Sequence, residues 1–444
     1  MNRIFLRNKL TSFRMIILGF LGVILTGTFL LTLPFSAKNG CWTPFMDALF
    51  TSTSAVCVTG LVVKDTATYW SMFGQTVILI LIQIGGLGVI SIAAFVATVS
   101  GRKISLFQRS MLQDSISAHQ IGGVVKMNSF VFRAVFVVEL LGAVVMMPSF
   151  CTRFGVKGVW MAFFHSISAF CNAGFDVMGS STGKFSSLTA FSDNPGIVLP
   201  IVLLIMVGGI GFLTWDDIAR NSYHFKRYRL QTKLILVTTA VLILAPTIHF
   251  FFGEFSGWPL GERLCLSLFQ AVTPRTAGFN TADLSLMTDS GHMILIVLML
   301  IGGSPGSTAG GMKTTTVAVL MANSLATFRR KKNAHMFGRR IEDNTIKNAS
   351  TLLVMYLTLC SLGALIIGTV EKLPMKMCIF ETASAIGTVG LTLGITTSLG
   401  LVSRLILILL MFFGRVGGLT LIYATIRSLG AEVSRYPVEK INVG

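Results

Sequence analysis

The stretch Ala55-Val-Cys-Val-Thr-Gly60-Leu61 decides how the rest of the chain is read, because it returns three more times. The later copies are Ala169-Phe-Cys-Asn-Ala-Gly174-Phe175, Thr273-Pro-Arg-Thr-Ala-Gly278-Phe279 and Ala385-Ile-Gly-Thr-Val-Gly390-Leu391, with successive glycines 114, 104 and 112 residues apart. Ten positions before each glycine stands Phe50, Phe164, Leu268 or Phe380, and six before it Ser54, Ser168, Val272 or Ser384. A second landmark follows each copy: Gly85-Gly-Leu-Gly88, Gly208-Gly-Ile-Gly211, Gly302-Gly-Ser-Pro-Gly306 and Gly414-Arg-Val-Gly-Gly418. Copies that agree at two separate landmarks mark an internal repeat.

Working outward from each copy, an apolar piece of about a dozen residues leads into the glycine, too short to cross roughly 30 Å of hydrocarbon. Longer apolar stretches flank these pieces near 14–33, 75–99, 129–150, 197–219, 232–253, 292–322, 349–370 and 401–426. The expected fold is an all-α integral membrane protein of four pseudo-symmetric helix–pore-loop–helix repeats. It would have eight transmembrane helices and four re-entrant pore helices, each followed by an extended glycine-containing strand, around one central pore. The repeats would occupy 1–100, 101–222, 223–330 and 331–444.

Composition agrees with a membrane class. Hydrophobic residues make up 53% of the 444 and charged residues only 12%, against about 25% charged in soluble domains. The net charge of +18 suggests a nucleic-acid binder only if it clusters on a soluble face. Instead, the tails and the loops after the second, fourth and sixth spans hold 24 basic and 7 acidic residues, whereas the re-entrant side holds 10 of each. Basic residues stay in the cytoplasm, so both termini should be cytoplasmic and the re-entrant pieces should face outward. The first apolar stretch reads as a retained span rather than a signal peptide, since no small-residue cleavage site ends it. Seven cysteines form no C-x-x-C pair, which argues against a metal ribbon or a full disulfide framework. The six histidines show no H-x-x-x-H spacing, so an enzyme is disfavoured.

A small residue, exposed backbone and then glycine suits a cation filter. A dehydrated potassium ion needs its lost water replaced by oxygens, and backbone carbonyls provide them without a fixed full charge. Glycine tolerates positive φ and lets backbones approach closely. The carboxyl ends of the short helices would favour a cation in the cavity between them. The filter should therefore comprise Val58, Thr59 and Gly60; Asn172, Ala173 and Gly174; Thr276, Ala277 and Gly278; and Thr388, Val389 and Gly390. One glycine per repeat, where the TVGYG potassium filter has two, predicts a shorter filter with weaker discrimination against sodium.

At these residues the chain resembles the Trk, Ktr and plant HKT superfamily of potassium transporters, most closely the membrane subunit of the bacterial Ktr system. The likeness runs from about residue 14 to the end and is most specific at Thr273-Pro-Arg-Thr-Ala-Gly-Phe279. It implies a potassium-selective translocator in the bacterial plasma membrane, usually a homodimer with one pore per chain. It also implies a cytosolic, nucleotide-binding octameric ring docking near 102–126, 220–233 and 327–347. K+ would be the transported ion, Na+ an activator, and no nucleotide would bind this chain. Plant members that favour sodium carry serine at the first filter glycine, where this chain has Gly60. A sodium transporter of the same fold and an alternating-access carrier remain the alternatives.

The sixth span is interrupted by Gly302, Gly303, Ser304, Pro305, Gly306, Ser307, Thr308, Ala309, Gly310, Gly311, Met312 and Lys313, which no ordinary helix survives. An intramembrane gating loop is expected at 302–313, the role that the resemblance also implies. Gly306 to Gly311 with Lys313 imitates a phosphate-binding loop, but Met312 intrudes and no strand of a soluble sheet precedes it. Arg415, deep in the last span, is expected on the pore side, moderating cation occupancy or holding loop carbonyls. Arg404 should snorkel to the outer interface, and Arg275 should point behind the filter and pair with Glu381 or Asp47. Asp176 reads as an acid at the pore mouth, either attracting cations or merely solvated. Glu139 reads as a helix-packing carboxyl rather than a proton site, and Cys57 and Cys171 as small packing residues unless a thiol reagent reaches them.

Overall fold

A computed structural model describes residues 11–116, 122–425, 437 and 439. Arg3, Arg7, Lys9, Arg427, Glu432, Arg435, Lys440 and part of the 102–126 loop (117–121) lie outside the described residues. The chain is mostly helical and apolar. Beside single-turn pieces, the helices are α1 (Ser12–Thr32), α2 (Phe45–Val56), α3 (Met72–Leu87), α4 (Val89–Val99), α5 (Leu106–Ser115), α6 (Val124–Phe154), α7 (Lys157–Phe170), α8 (Pro195–Ile210) and α9 (Phe212–Asn221). They continue with α10 (Leu230–Phe252), α11 (Leu260–Val272), α12 (Asp289–Leu300), α13 (Thr314–Phe328), α14 (Asp343–Glu371), α15 (Met375–Gly387), α16 (Leu401–Val416) and α17 (Gly418–Thr425).

Four of these, α1, α6, α10 and α14, are long and apolar enough to cross a membrane unbroken, and up to six spans result if each bent pair counts as one. The second, fourth and eighth expected spans differ from the continuous stretches read from hydropathy. Helices α3 and α4 meet at 95°, α8 and α9 at 93°, and α16 stops one residue before α17 begins. The residues at these breaks are Gly88, Gly211 and Gly417, with φ of 87°, 100° and 89°. That backbone cannot continue a right-handed helix, and only glycine adopts it without steric penalty. Hydropathy sees apolar length and is blind to such a turn.

Each short helix packs against the long helix before it: α2 on α1, α7 on α6, α11 on α10 and α15 on α14. The short helices are buried although they are rich in hydroxyls, such as Thr51, Ser52, Thr53 and Ser54 on α2 and Thr382 and Ser384 on α15. Most of these polar atoms are spent: Thr51 Oγ1 donates to Asp47 O at 2.8 Å and Ser52 Oγ to Ile24 O of α1 at 2.7 Å, while Thr53 Oγ1 has no partner among the described residues. Leu18, Phe29, Val137, Leu141, Leu244, Ile248 and Leu365, on the long helices, face outward, as expected where lipid is the solvent. Between α13 and α14 a small antiparallel hairpin, β1 (His335–Met336) and β2 (Arg339–Arg340), pairs His335 with Arg340 and Met336 with Arg339. It caps a minor core of Val319, Ala322, Ala326, Ala334, Ile341 and Ala349.

Candidate ion pathway

The segment after each short helix is not a β-strand, as the repeat pattern had suggested. Instead the residue two places before the glycine and the glycine itself both take positive φ. The angles are 56° and 88° at Val58 and Gly60, 58° and 67° at Asn172 and Gly174, 70° and 78° at Thr276 and Gly278, and 52° and 95° at Thr388 and Gly390. The glycines were legible in the sequence; the strained non-glycine partners carry no local signal.

This backbone turns the intervening amides back onto the short helices. Thr59 N donates to Ser54 O at 2.8 Å, Ala173 N to Ser168 O at 2.7 Å, Ala277 N to Thr273 O at 2.9 Å and Val389 N to Ser384 O at 2.8 Å. Side chains at the repeated serine position fasten the glycine amides in two segments: Gly60 N donates to Ser54 Oγ at 3.1 Å and Gly390 N to Ser384 Oγ at 3.0 Å. In the second segment Ser168 Oγ donates instead to Phe175 O at 2.8 Å, and in the third, where Val272 stands at that position, the next residue's Thr273 Oγ1 donates to Phe279 O at 2.5 Å.

With their amides turned away, the carbonyls of the same residues meet the glycine of the preceding segment. A Cβ on Gly60 would stand 2.5 Å from Ala173 O, and one on Gly174 2.6 Å from Ala277 O. On Gly278 it would collide with Val389 O, and on Gly390 with Thr59 O. The contacts run from the first segment to the second, third and fourth and back to the first. Four glycines and four carbonyls thus close a ring, and a side chain at any of the glycines would break it.

On one side the ring opens into a cavity of about 360 Å³ lined by all four glycines and by Asp65, Asp176, Asn280 and Thr392. Asp176 Oδ1 accepts from Met178 N at 3.0 Å, and Asp65 ties two outer loops together by accepting from Thr68 N at 2.7 Å and Phe185 N at 3.1 Å. On the other side the loop between α12 and α13 packs against the fourth segment. Gly311 rests against Gly387 O, and a Cβ on Gly310 would strike Thr388 Oγ1. Beyond the loop a second cavity, about 280 Å³, is lined by Gly306, Met312, Lys313, Arg415 and Asp114.

The loop is seated by hydrogen bonds to the glycine breaks of its neighbours. Ser304 N donates to Gly209 O at 3.0 Å, Thr308 N to Gly208 O at 3.2 Å, Phe212 N to Gly306 O at 2.8 Å and Gly311 N to Gly414 O at 3.2 Å. Its ends are clamped together by Gly302 N to Met312 O at 2.7 Å and Thr314 N to Gly303 O at 3.0 Å. The Thr308 hydroxyl donates to Phe170 O at 3.0 Å, capping the carboxyl end of α7. Lys313 Nζ is turned onto the loop's own carbonyls, Ala309 O at 2.8 Å and Gly310 O at 3.4 Å. Arg415 reaches the loop from α16, donating Nη1 to Thr308 O and Nη2 to Gly85 O and to Gly86 O, the last at 2.9 Å.

Two expected pairings are corrected. Arg275 is buried but engages neither Asp47 nor Glu381; its Nη2 lies 3.4 Å from Thr239 Oγ1 on α10. Both acids are already occupied. Asp47 accepts from Arg404 Nη1 at 2.8 Å, with Lys64 at 3.5 Å, while Glu381 accepts from Thr392 Oγ1 at 2.8 Å and from Thr396 Oγ1. Arg404 therefore does not snorkel freely; it bridges α16 to α2. Glu139 is buried between helices and accepts from Gln83 Nε2 at 3.2 Å, with Cys171 Sγ 3.9 Å away. Cys57 and Cys171 are fully buried. Gln83, Thr392 and Thr396 were not singled out from sequence, because nothing in their local pattern distinguishes them.

The family model for TrkH, a cation transport protein, matches residues 11–432. The chain belongs to that family. Among similar proteins, the potassium/sodium uptake protein NtpJ of Enterococcus hirae is 40% identical over 99% of this chain and 98% of its own length. The Ktr system potassium uptake protein B of Bacillus subtilis is 37% identical over 98% and 97%. The crystal structure of the potassium transporter TrkH from Vibrio parahaemolyticus superposes with a TM-score of 0.71 at 21% identity, covering 92% of this chain and 84% of that one. At that identity the likeness establishes the fold. A TrkH-family chain is a multi-pass membrane protein of a cation-transport family rather than of an enzyme family.

Proposed function

We propose that this TrkH-family chain is the potassium-translocating subunit of a bacterial uptake system, conducting K+ in a channel-like manner through the glycine ring. The observation that carries the reading is the closed cycle of contacts between Gly60, Gly174, Gly278 and Gly390 and the carbonyls of Ala173, Ala277, Val389 and Thr59. Uncharged carbonyl oxygens around one axis are what a dehydrating cation requires, and no anion is attracted by them. The helices would make eight spans in four repeats in the cell membrane, with both termini cytoplasmic. The loop at 302–313, held by Arg415, would be the gate.

The Ktr names of two-component relatives support a partner here: a cytosolic nucleotide-binding octameric ring docked on the loops near 102–126, 220–233 and 327–347. Those loops carry the basic run Arg329-Arg-Lys-Lys332 and the hairpin with Arg339 and Arg340. The chain would act as a homodimer, itself binding no nucleotide. The test is rescue of a potassium-uptake-deficient bacterium by this chain with and without its ring subunit. Growth on low potassium with the ring is expected, and Gly278→Ser should lower the selectivity for K+ over Na+. No rescue in either case rejects the reading.

Sodium is the second reading, as cargo or activator, and the observation behind it is the potassium/sodium name of the Enterococcus hirae relative. Rubidium against sodium flux separates the two.

A further inference from the structure

A cavity of about 630 Å³ lies beside the ion pathway and outside it. It adjoins the cavity that all four ring glycines line, sharing Phe185, Asn280 and Asp283 with it. Its walls come from the turn after α10 and from the chain that follows Gly278. The turn is tied by its own backbone, Phe255 N donating to Phe250 O at 3.0 Å and Trp258 N to Phe255 O at 3.1 Å.

The charged residues that line this cavity are both acids, Glu254 and Asp283. Neither meets a basic side chain within ion-pair distance among the described residues. Their hydrogen bonds come from neutral donors. Glu254 Oε2 accepts from Thr288 N at 3.0 Å and Oε1 from the Thr288 hydroxyl, while Asp283 Oδ1 accepts from Ser285 N at 2.9 Å. These bonds position the carboxylates and leave their charge uncompensated. Phe255 and Trp258 stand in the same wall. So does Thr281, which is 3% exposed and whose Oγ1 has no hydrogen-bond partner among the described residues. A buried hydroxyl in that state is satisfied when a ligand N–H donates to it.

Two acids repel an anion, and aromatic walls suit a bare alkali ion less well than an organic one. A cation with an apolar body and N–H groups meets each feature: carboxylates for its charge, rings for its methylenes and for cation–π attraction, and a free hydroxyl for its proton. We propose that this cavity binds a protonated aliphatic amine, held by Glu254, Asp283 and Thr281 with its chain against Phe255 and Trp258. The occupant sets positive charge beside Asn280 and Asp283, which also line the cavity over the glycine ring, and so slows cation entry there.

Calorimetric titration of 1,4-diaminobutane into the purified full chain measures the site, and Rb+ uptake in proteoliposomes with the ring subunit measures its consequence. The wild type is expected to bind the diamine and to lose uptake as it does so. Trp258→Leu, Thr281→Val and Glu254→Gln, the last still able to accept from Thr288, are each expected to weaken binding and inhibition together by about fivefold. Three separate variants keep the test intact if one fails to assemble. No binding to the wild type, or binding that none of the three weakens, overturns the site. Mg2+ at equal concentration is expected to leave uptake intact; inhibition equal to the diamine's would assign the effect to charge screening and overturn it too. Binding without inhibition removes the link to the pathway. Absent Rb+ uptake in the untreated wild type counts against the transport reading instead, and the calorimetry still decides the site.

Discussion

Arg415 binds the carbonyl oxygen of Thr308, 107 positions away in sequence, and with its other terminal nitrogen the carbonyls of Gly85 and Gly86. One guanidinium thus joins α16, the end of α3 and the loop between α12 and α13. Hydrogen bonds from a charged donor contribute about 1.5–3 kcal/mol each. Arg415→Gln should free the loop and raise ring-independent Rb+ flux by about tenfold, since about 1.4 kcal/mol is a factor of ten. Deletion of 304–310 should do the same or more. Basal flux that stays at the wild-type level in both would remove the loop as a gate.

Gly310→Ala tests the contact between loop and filter. The added methyl would meet Thr388 Oγ1 in the seated loop, so the loop has to shift away. Raised basal flux with normal expression is expected. A variant with wild-type flux and regulation would show that the loop does not press on the filter.

The Asp47–Arg404 pair joins α2 to α16, with side chains 9% and 21% exposed. Asp47→Asn leaves Arg404 and Lys64 without their shared acid, whereas Arg404→Gln leaves Asp47 with Lys64 at 3.5 Å. The aspartate variant should therefore lose more melting temperature in detergent, with a double-mutant coupling of about 1 kcal/mol or more. Coupling near zero would mean that solvent screens the pair.

Asp114, on the loop helix α5 outside the spans, is partly buried, and desolvation raises its carboxyl above the ordinary range although Ser12 offers a hydrogen bond that lowers it. A carboxyl raised on folding binds more protons in the folded than in the unfolded state. Its contribution to stability therefore falls as pH rises through the ordinary carboxylate range. Asp114→Asn should raise the melting temperature at neutral pH, and the gain should vanish in acid where the aspartate is protonated. A gain that persists unchanged in acid would assign the effect to something other than charge.

Much of the candidate pathway is legible along the chain. The four glycines that close the ring, the broken sixth span and the short helices all follow from local properties: apolar length, the permissive backbone of glycine, and the density of helix breakers between 302 and 311. The glycine clusters on the second, fourth and eighth spans were legible as a repeat but not as bends of 95° and 93° in the first two. Hydropathy averages over the one residue that turns the chain. The pairing of Arg275 was misassigned because charge balance in a sequence gives no distance; Asp47 had a nearer claimant in Arg404, 357 positions on.

The sequence by itself determined a fourfold repeat in a membrane chain and the positions at which only glycine serves, because periodicity and backbone permission belong to each segment separately. Only the tertiary structure decided that the glycine of each segment meets the carbonyl of the next. It alone decided that Arg415 holds Thr308, Gly85 and Gly86. Those relationships join residues a hundred or more positions apart, and they exist only once burial has forced four separate segments around one axis.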